Sequence, residues 1–306
     1  MDKINDIIII GGGPAGYTSA LYASRAGFDT LVLEKFSAGG QMTQTAMIDN
    51  YPGFEEGIDG FTLGFKMQQC AERFGSKTLR TEVIKVDLNS KPKIVETADG
   101  VFLAKCVIVA TGAEHRHLGL KEEESLIGRG VGYCATCDGM FFKEKTVAVV
   151  GGGNSAAADA MYLSKICKKV ILIHRRDQLR AEKVYRDPLL KTDNVEFEWN
   201  STVKEILADE RVSAVRTVDT SGQEKIICLD GVFISIGRAP QTELFSGQLD
   251  LSPDGYIIAD ETTRTNIEGV FAVGDVRTKP VRQIVTAVAD GASALHFAEE
   301  YISSEY

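Results

Sequence analysis

Short runs of consecutive apolar residues punctuate the chain, and they recur in two similar series. The first begins with DIIII at residues 6–10. An unbroken apolar run of that length, bounded by turn residues, predicts a strand buried on both faces. A turn of Gly11-Gly12-Gly13-Pro14-Ala15-Gly16 follows, matching G-x-G-x-x-G. A stretch rich in Ala, Leu and Ser then predicts a helix that stops at Gly27. A second buried strand, residues 30–33, is closed by Glu34. The order is strand, Gly turn, helix, strand, acid, the acid standing about 20 residues beyond the turn.

The same order reappears 140 residues later, in TVAVVGGGNSAAADAMYLSKICKKVILIHRR. Gly151 aligns with Gly11, Gly153 with Gly13 and Ala156 with Gly16, and Asn154 and Ser155 complete the second turn. His174 stands where Glu34 stands. Two copies at one offset, each bracketed by buried strands, form an internal repeat of a dinucleotide-binding unit.

The remaining runs close each unit. Residues 105–110 form a buried strand ending in Thr111-Gly112, and residues 231–236 are its counterpart, ending in Gly237. Alternation over residues 93–103 and 212–229 predicts a small antiparallel layer in each half. A further buried strand, residues 269–273, ends in Gly274-Asp275 and has no Gly fingerprint of its own, so it completes the first unit. A last helix begins after Arg282-Gln283, with Ile284, Val288, Ala292 and Leu295 along one face. The fold class expected is α/β, with two dinucleotide-binding domains (Rossmann-like, three-layer), the second inserted into the first. The boundaries are a first dinucleotide-binding domain at 1–114, the inserted second one at 115–240 and the first resumed at 241–306.

Composition narrows the partners. The chain has 306 residues, which fits two domains. Lys+Arg number 34 against 43 Asp+Glu, a net charge of -9. A duplex binder needs a basic field to neutralise phosphates, so nucleic acid is not expected. No apolar run approaches the roughly 20 residues that span a bilayer, so neither is a membrane, and the expected location is cytoplasmic. Gly makes up 30 residues and Pro only 7, without a G-X-Y period, so the glycines serve turns and close backbone approaches within a folded chain. Gly40, Gly112 and Gly274 are candidates beside those of the two fingerprints.

The fingerprint has a physical logic. Its first Gly permits the tight turn, its second lets backbone approach a pyrophosphate, and its third position must be small so that helix and strand pack closely. The helix N-terminus then offers unpaired N–H groups and partial positive charge to the phosphates. A carboxylate at the end of the second strand accepts from ribose hydroxyls, so Glu34 fits an adenosine with a free 2′-OH. Cationic groups there fit a 2′-phosphate. His174, Arg175, Arg176 and, further on, Arg180 supply up to four. The pattern predicts FAD at the first unit and NADPH, in preference to NADH, at the second.

Six cysteines are too few for a secreted disulfide scaffold. Cys106, Cys167 and Cys228 lie in or beside apolar runs and read as small buried hydrophobes. Cys134-Ala135-Thr136-Cys137-Asp138 is a C-x-x-C pair just before the second unit. Zinc would need two more ligands, and the four His show no matching spacing from the pair. A structural disulfide is rare in the cytosol. A redox dithiol beside a flavin unit and a pyridine-nucleotide unit is the economical reading. Asp138 is placed to act as general acid if burial raises its pKa, or to form a turn before Gly139.

Taken in order, the two fingerprints, Cys134-Ala135-Thr136-Cys137-Asp138-Gly139, His174-Arg175-Arg176 with Arg180-Ala181, and Val273-Gly274-Asp275 resemble bacterial-type (low molecular weight) thioredoxin reductase over essentially the whole chain. The resemblance implies a homodimeric flavoprotein that passes electrons from NADPH through FAD and a Cys134/Cys137 disulfide to thioredoxin. It implies that Cys137 faces the flavin, Cys134 attacks thioredoxin and Asp138 is the acid, and that the NADPH domain rotates between two tasks. It also places Gln41, Asn50, Thr111, Asp275, Arg282 and Gln283 near FAD. Three positions depart from the family pattern: the linker at residues 117–123, Ala158-Asp159 where paired Glu is frequent, and Gly132 where Ser is common. The alternative is a same-fold disulfide reductase with ferredoxin as donor or another dithiol acceptor; the second fingerprint and the basic cluster argue against the ferredoxin form.

Overall fold

The structure is a computed structural model and describes residues 3–45 and 47–306. The chain divides into two compact units, residues 1–114 with 239–306, and residues 115–238.

In chain order, the first unit begins with β1 (Ile4–Ile10), α1 (Pro14–Arg25), β2 (Thr30–Glu34), α2 (Gly60–Glu72) and β3 (Lys77–Arg80). It continues with β4 (Val83–Asp87), β5 (Lys93–Thr97) and β6 (Gly100–Val109). The chain leaves along β7 (Ala113–His115). The second unit holds β8 (Val131–Gly132), α3 (Ala135–Asp138), β9 (Thr146–Val150), α4 (Asn154–Ser164), β10 (Lys169–Ile173), α5 (Lys183–Leu189) and β11 (Val195–Glu198). Then come β12 (Ser201–Ala208), β13 (Val212–Asp219), β14 (Glu224–Cys228) and β15 (Gly231–Ile234). The return runs along β16 (Arg238–Pro240), which pairs with β7. The first unit is completed by β17 (Val270–Ala272) and α6 (Ile284–Glu305).

The two parallel sheets share one topology. The first unit orders its strands β3-β2-β1-β6, with β17 beside β6, and the second orders them β11-β10-β9-β15-β8. The repeat therefore extends to strand order. The outermost positions are filled differently, by a strand at the end of the chain in one unit and by β8, which precedes β9, in the other.

Both faces of each central strand are covered, as their continuous apolar runs require. Ile7 and Ile9 point into a core with Ala20, Ala23 and the α6 residues Ala294 and Ala298. Ile8 and Ile10 point into another with Val86, Val95 and Phe245. In the second unit Val147 and Val149 face α4, while Ala148 and Val150 face β12–β14. The antiparallel layer takes two forms. In the second unit β12–β14 make a separate sheet. In the first, β4 and β5 extend the main sheet, because the long β6 pairs antiparallel with β5 along one half and parallel with β1 along the other.

Two expectations are corrected. The inward face of α6 is Ala287, Asp290, Gly291, Ala294, Leu295, Ala298 and Ile302, about one position away from the stripe through Ile284, Val288 and Ala292. The cause is close approach to α1: a Cβ at Gly291 would lie 2.5 Å from the Ala15 carbonyl oxygen, so small residues set the contact. Cys228 is exposed, because strand alternation turns Ile227 inward and Cys228 outward on β14. Cys106 and Cys167 are buried.

The Gly291 contact is testable. Gly291→Ala is expected to cost about 1–3 kcal/mol of stability through overpacking, read by denaturant unfolding. Gly13→Ala is expected to cost far less, since a Cβ there meets nothing within 4 Å.

Candidate active site

Three groups of predicted residues are assembled, one in the first unit and two in the second. In the first unit, β1 delivers the chain to a turn whose glycines do different work. A Cβ on Gly16 would lie 2.0 Å from the Gly11 carbonyl oxygen, so this position holds helix against strand. Gly13 caps α1 in extended conformation, with no side-chain hydrogen bond, and a Cβ there would meet only open space. Pro14 occupies the first turn, where its missing N–H costs nothing. The Gly39–Gly40 loop lies against this turn, Gly39 N–H donating to the Gly12 carbonyl at 2.8 Å.

Glu34 accepts from Gly12 N–H at 2.5 Å and from Phe36 N–H at 2.8 Å, one on each oxygen. A carboxylate has about four acceptor sites, so two remain for ribose hydroxyls. Gln41 is exposed on the following 3-10 turn. Asn50 donates to the Gln283 side chain at 3.2 Å. Thr111 donates to the Gln241 carbonyl at 2.7 Å, and Gly112 faces open space. Gly274 donates to Asp290 at 2.8 Å, and Arg282 stacks on Tyr256 at 4.0 Å while donating to the Asp275 carbonyl. An open glycine at a helix N-terminus with no side-chain cap, beside a carboxylate, fits an adenine dinucleotide.

The second cradle repeats the first with changed chemistry. A Cβ on Gly151 would lie 2.3 Å from the Ser235 carbonyl oxygen and 2.7 Å from the Ala156 Cβ, so Ala at the third position demands Gly at the first. Gly153 caps α4 and opens on free space. Ser155 is exposed in the first turn of α4. Asn154 exchanges two hydrogen bonds with Glu182, and Arg180 N–H donates to the Gly152 carbonyl at 2.7 Å, which ties the arginine segment to the turn. Arg175, Arg176 and Arg180 are exposed. A glycine-capped helix N-terminus with three exposed arginines grouped around His174 fits a dinucleotide bearing an extra phosphate.

His174 does not join them as a cation. It is buried, and its ring lies over Gly152, where a Cβ would come within 2.1 Å. Burial, together with Arg180, Arg175 and Arg176, holds its pKa below the usual histidine value. A neutral ring that packs the turn replaces the fourth cation.

The third group is chemical. Cys134 and Cys137 are joined in a disulfide at the start of α3, with Cα atoms 5.2 Å apart. Among the described residues no cluster of His, Cys, Asp or Glu is arranged to hold a metal ion. Asp138 ends α3, and burial pushes its carboxyl up to about 6. It stands near Gly132 on β8: a Cβ there would come 3.3 Å from Asp138 Oδ2. Asp159 is also held above the usual range by burial, against the lowering effect of its hydrogen bond from Ser235.

Sequence reasoning missed the residue that organises this corner. Glu123 is 1% exposed despite lying in a run of charged residues. It accepts from the backbone N–H groups of Leu118, Gly119 and Leu120 and, at 2.6 Å, from the hydroxyl of Tyr133, the neighbour of Cys134. No local pattern separates it from Glu122 and Glu124. Only the closing of the turn around it does.

Comparison with known proteins identifies the family. Residues 5–291 match the family model described as pyridine nucleotide-disulphide oxidoreductase, and the chain belongs to that family. Thioredoxin reductase from Listeria innocua is 47% identical over 98% of this chain and 95% of its own. Thioredoxin reductase from Bacillus subtilis is 43% identical over 98% and 96%. The crystal structure of thioredoxin reductase from Streptococcus pyogenes superposes with a TM-score of 0.93 at 43% identity, covering 99% of this chain and all of that one.

The raised carboxyl can be observed directly. Asp138 in the oxidised protein is expected to titrate near 6 when followed by carboxyl carbon NMR. A midpoint near 4 would contradict the burial argument.

Proposed function

We propose that this chain is a thioredoxin-disulfide reductase driven by NADPH, with FAD in the first unit and NADPH in the second. The observation that carries the reading is the Cys134–Cys137 disulfide beside a carboxyl raised by burial, in a chain that repeats a dinucleotide cradle. The names of the relatives support the activity. We read the protein as a cytoplasmic homodimer by the same likeness. Among the described residues no helix is long and apolar enough to cross a membrane.

When bound, NADPH and FAD supply two electrons as a pair. The chain's residues manage the sulfur and the protons. Two electrons and one proton convert the disulfide to one thiolate and one thiol. Asp138 is the proton donor, because burial keeps a protonated fraction near neutrality that an exposed Asp lacks. The Cys134 thiolate then attacks the thioredoxin disulfide, one thioredoxin sulfur leaves as thiolate, and a mixed disulfide forms. Cys137, its proton returned to the Asp138 carboxylate, attacks Cys134 and restores the internal disulfide; the second thioredoxin sulfur leaves as thiolate, and the two thioredoxin thiolates take protons from solvent to give the dithiol. Arg175, Arg176 and Arg180 receive the 2′-phosphate of NADPH, and Glu34 the ribose of FAD.

Anaerobic NADPH is expected to bleach the flavin band, and thioredoxin to restore it. Cys134→Ser and Cys137→Ser should still bleach yet fail to turn over thioredoxin; bleaching without turnover in the wild type would point to another acceptor. Asp138→Asn should slow dithiol formation by roughly 10²–10⁴-fold. Its sign with pH follows from the raised pKa: the neutral acid persists below about 6 and is lost above it. Wild-type dithiol formation should thus fall as pH rises through about 6, and the variant should be flat there.

Nucleotide choice is a separate test. Arg175→Ala/Arg176→Ala should lower kcat/KM for NADPH by about 10–100-fold, the worth of one charge-assisted contact or more, and leave NADH nearly unchanged. An unaltered ratio would remove the arginines from the 2′-phosphate site.

A further inference from the structure

The chain between β17 and α6 carries Asp275, Arg282 and Gln283, and it is wrapped around a single buried carboxylate. Asp290, on the inward face of α6, is 5% exposed. Its Oδ2 accepts from Gly274 N–H, Arg277 Nε and Lys279 Nζ at 2.8, 2.8 and 2.9 Å, and its Oδ1 accepts from Arg277 Nη2 at 2.8 Å. Arg277 is 1% exposed. Lys279 also donates to the Thr286 carbonyl, and Glu261 approaches Arg277 at 3.5 Å from the solvent side. The loop's next contacts hang from these ties. Arg282 donates through Nε to the Asp275 carbonyl and through Nη2 to the Arg277 carbonyl.

One carboxylate gathers three loop positions, and one of its four bonds goes to backbone at Gly274, whose φ is +74°. A Cβ at Gly274 would sit 3.0 Å from the Ala15 Cβ, in the first turn of α1. The loop is therefore set against the cradle that opens at Gly13, and Asp290 is the point from which that setting is controlled. Hydrogen bonds to charged groups in a dry site are the strong ones, and a loop so held loses little further entropy when it closes on a ligand.

We infer that Asp290, through Arg277, Lys279 and the Gly274 amide, is a positioning residue that presets the Gly274–Gln283 loop for FAD. This rests on the reading of the first unit as the FAD site. The residue touches no substrate or reacting atom. Its effect is to hold Asp275, Arg282 and Gln283 where the flavin dinucleotide meets them.

The test is FAD release from the holoenzyme, followed by the rise of flavin fluorescence on dilution, together with the visible flavin spectrum and thermal unfolding with and without added FAD. Asp290→Asn is expected to release FAD at least 10-fold faster, to alter the flavin band shape and to shrink the stabilisation that FAD confers. If Asp290→Asn does not accumulate as folded protein, Arg277→Lys decides, since it keeps both charges and loses only the fork; release about 3–10-fold faster is expected. Wild-type release and spectrum in folded variants, with the same stabilisation by FAD from a lower baseline, would reduce Asp290 to a structural role and overturn the inference. Gly13→Val separates the two readings. If it accelerates release while the loop variants do not, only the inference fails; if it leaves release unchanged, the FAD assignment of the first unit fails with it.

Discussion

Everything in this protein depends on the absence of a side chain where a helix begins. A Cβ on Gly16 would lie 2.0 Å from the carbonyl oxygen of Gly11, well inside any permitted contact. Helix and strand therefore meet backbone to backbone, and the start of α1 is held against the end of β1. The second unit solves the same problem with Ala156 against Gly151, shifting the demand for glycine from the third position to the first. In both, a Cβ on the second glycine of the fingerprint, Gly13 or Gly153, would meet nothing within 4 Å, which leaves room for a pyrophosphate to approach. Packing thus creates the electrostatics: because the helix start cannot be moved, its uncapped amides become a fixed positive site.

Once two such sites exist in one chain, only the residues around them can make them different. At the end of the second strand the first unit has Glu34, with both oxygens engaged by backbone amides and acceptor capacity to spare. The second has a ring there instead of a carboxylate, buried over Gly152 and held below the usual histidine pKa. The change of sign comes from the arginines that follow it. The fold thus presents one chemistry to each of two related nucleotides, and the redox disulfide lies just ahead of the second copy in the chain.

Much of this was legible in the residues because it is local. Continuous apolar runs pointed to both-face burial, the 140-residue offset to a repeated unit that the two sheets then share in strand order, and the C-x-x-C spacing to a redox cysteine pair. What was illegible depends on distant contacts. The inward face of α6 carries Ala, Gly and Asp along with Leu295 and Ile302, because α1 comes too close at Gly291 for a larger side chain there. Cys228 sits in an apolar run yet faces outward, because a strand in an antiparallel layer has one covered side. His174 looks cationic beside two arginines, and those same arginines help to keep it neutral.

Carboxylates withdrawn from water, fully at Glu123 and Asp290 and partly at Asp138, show most plainly why sequence alone falls short. Asp138, Glu123 and Asp290 are the same functional group in three settings. At Asp138 burial alone acts on the carboxyl and raises its pKa, which is what a proton donor needs. At Asp290 burial pushes the same way, but the bonds from Arg277 and Lys279 outweigh it and hold the carboxyl below the usual range. Glu123 is surrounded by three backbone N–H groups and a phenol, and so ties a turn. Desolvation is common to all three, and the number of donors brought to each decides between chemistry and architecture. Those donors come from Leu118 to Tyr133 in one case and from Gly274 to Lys279 in another, segments that only the folded chain brings together. A carboxyl that receives no such donor among the described residues and stands beside a disulfide is therefore a stronger mark of function than burial alone, since at Glu123 and Asp290 the same chain supplies donors to a carboxylate that is merely to be held.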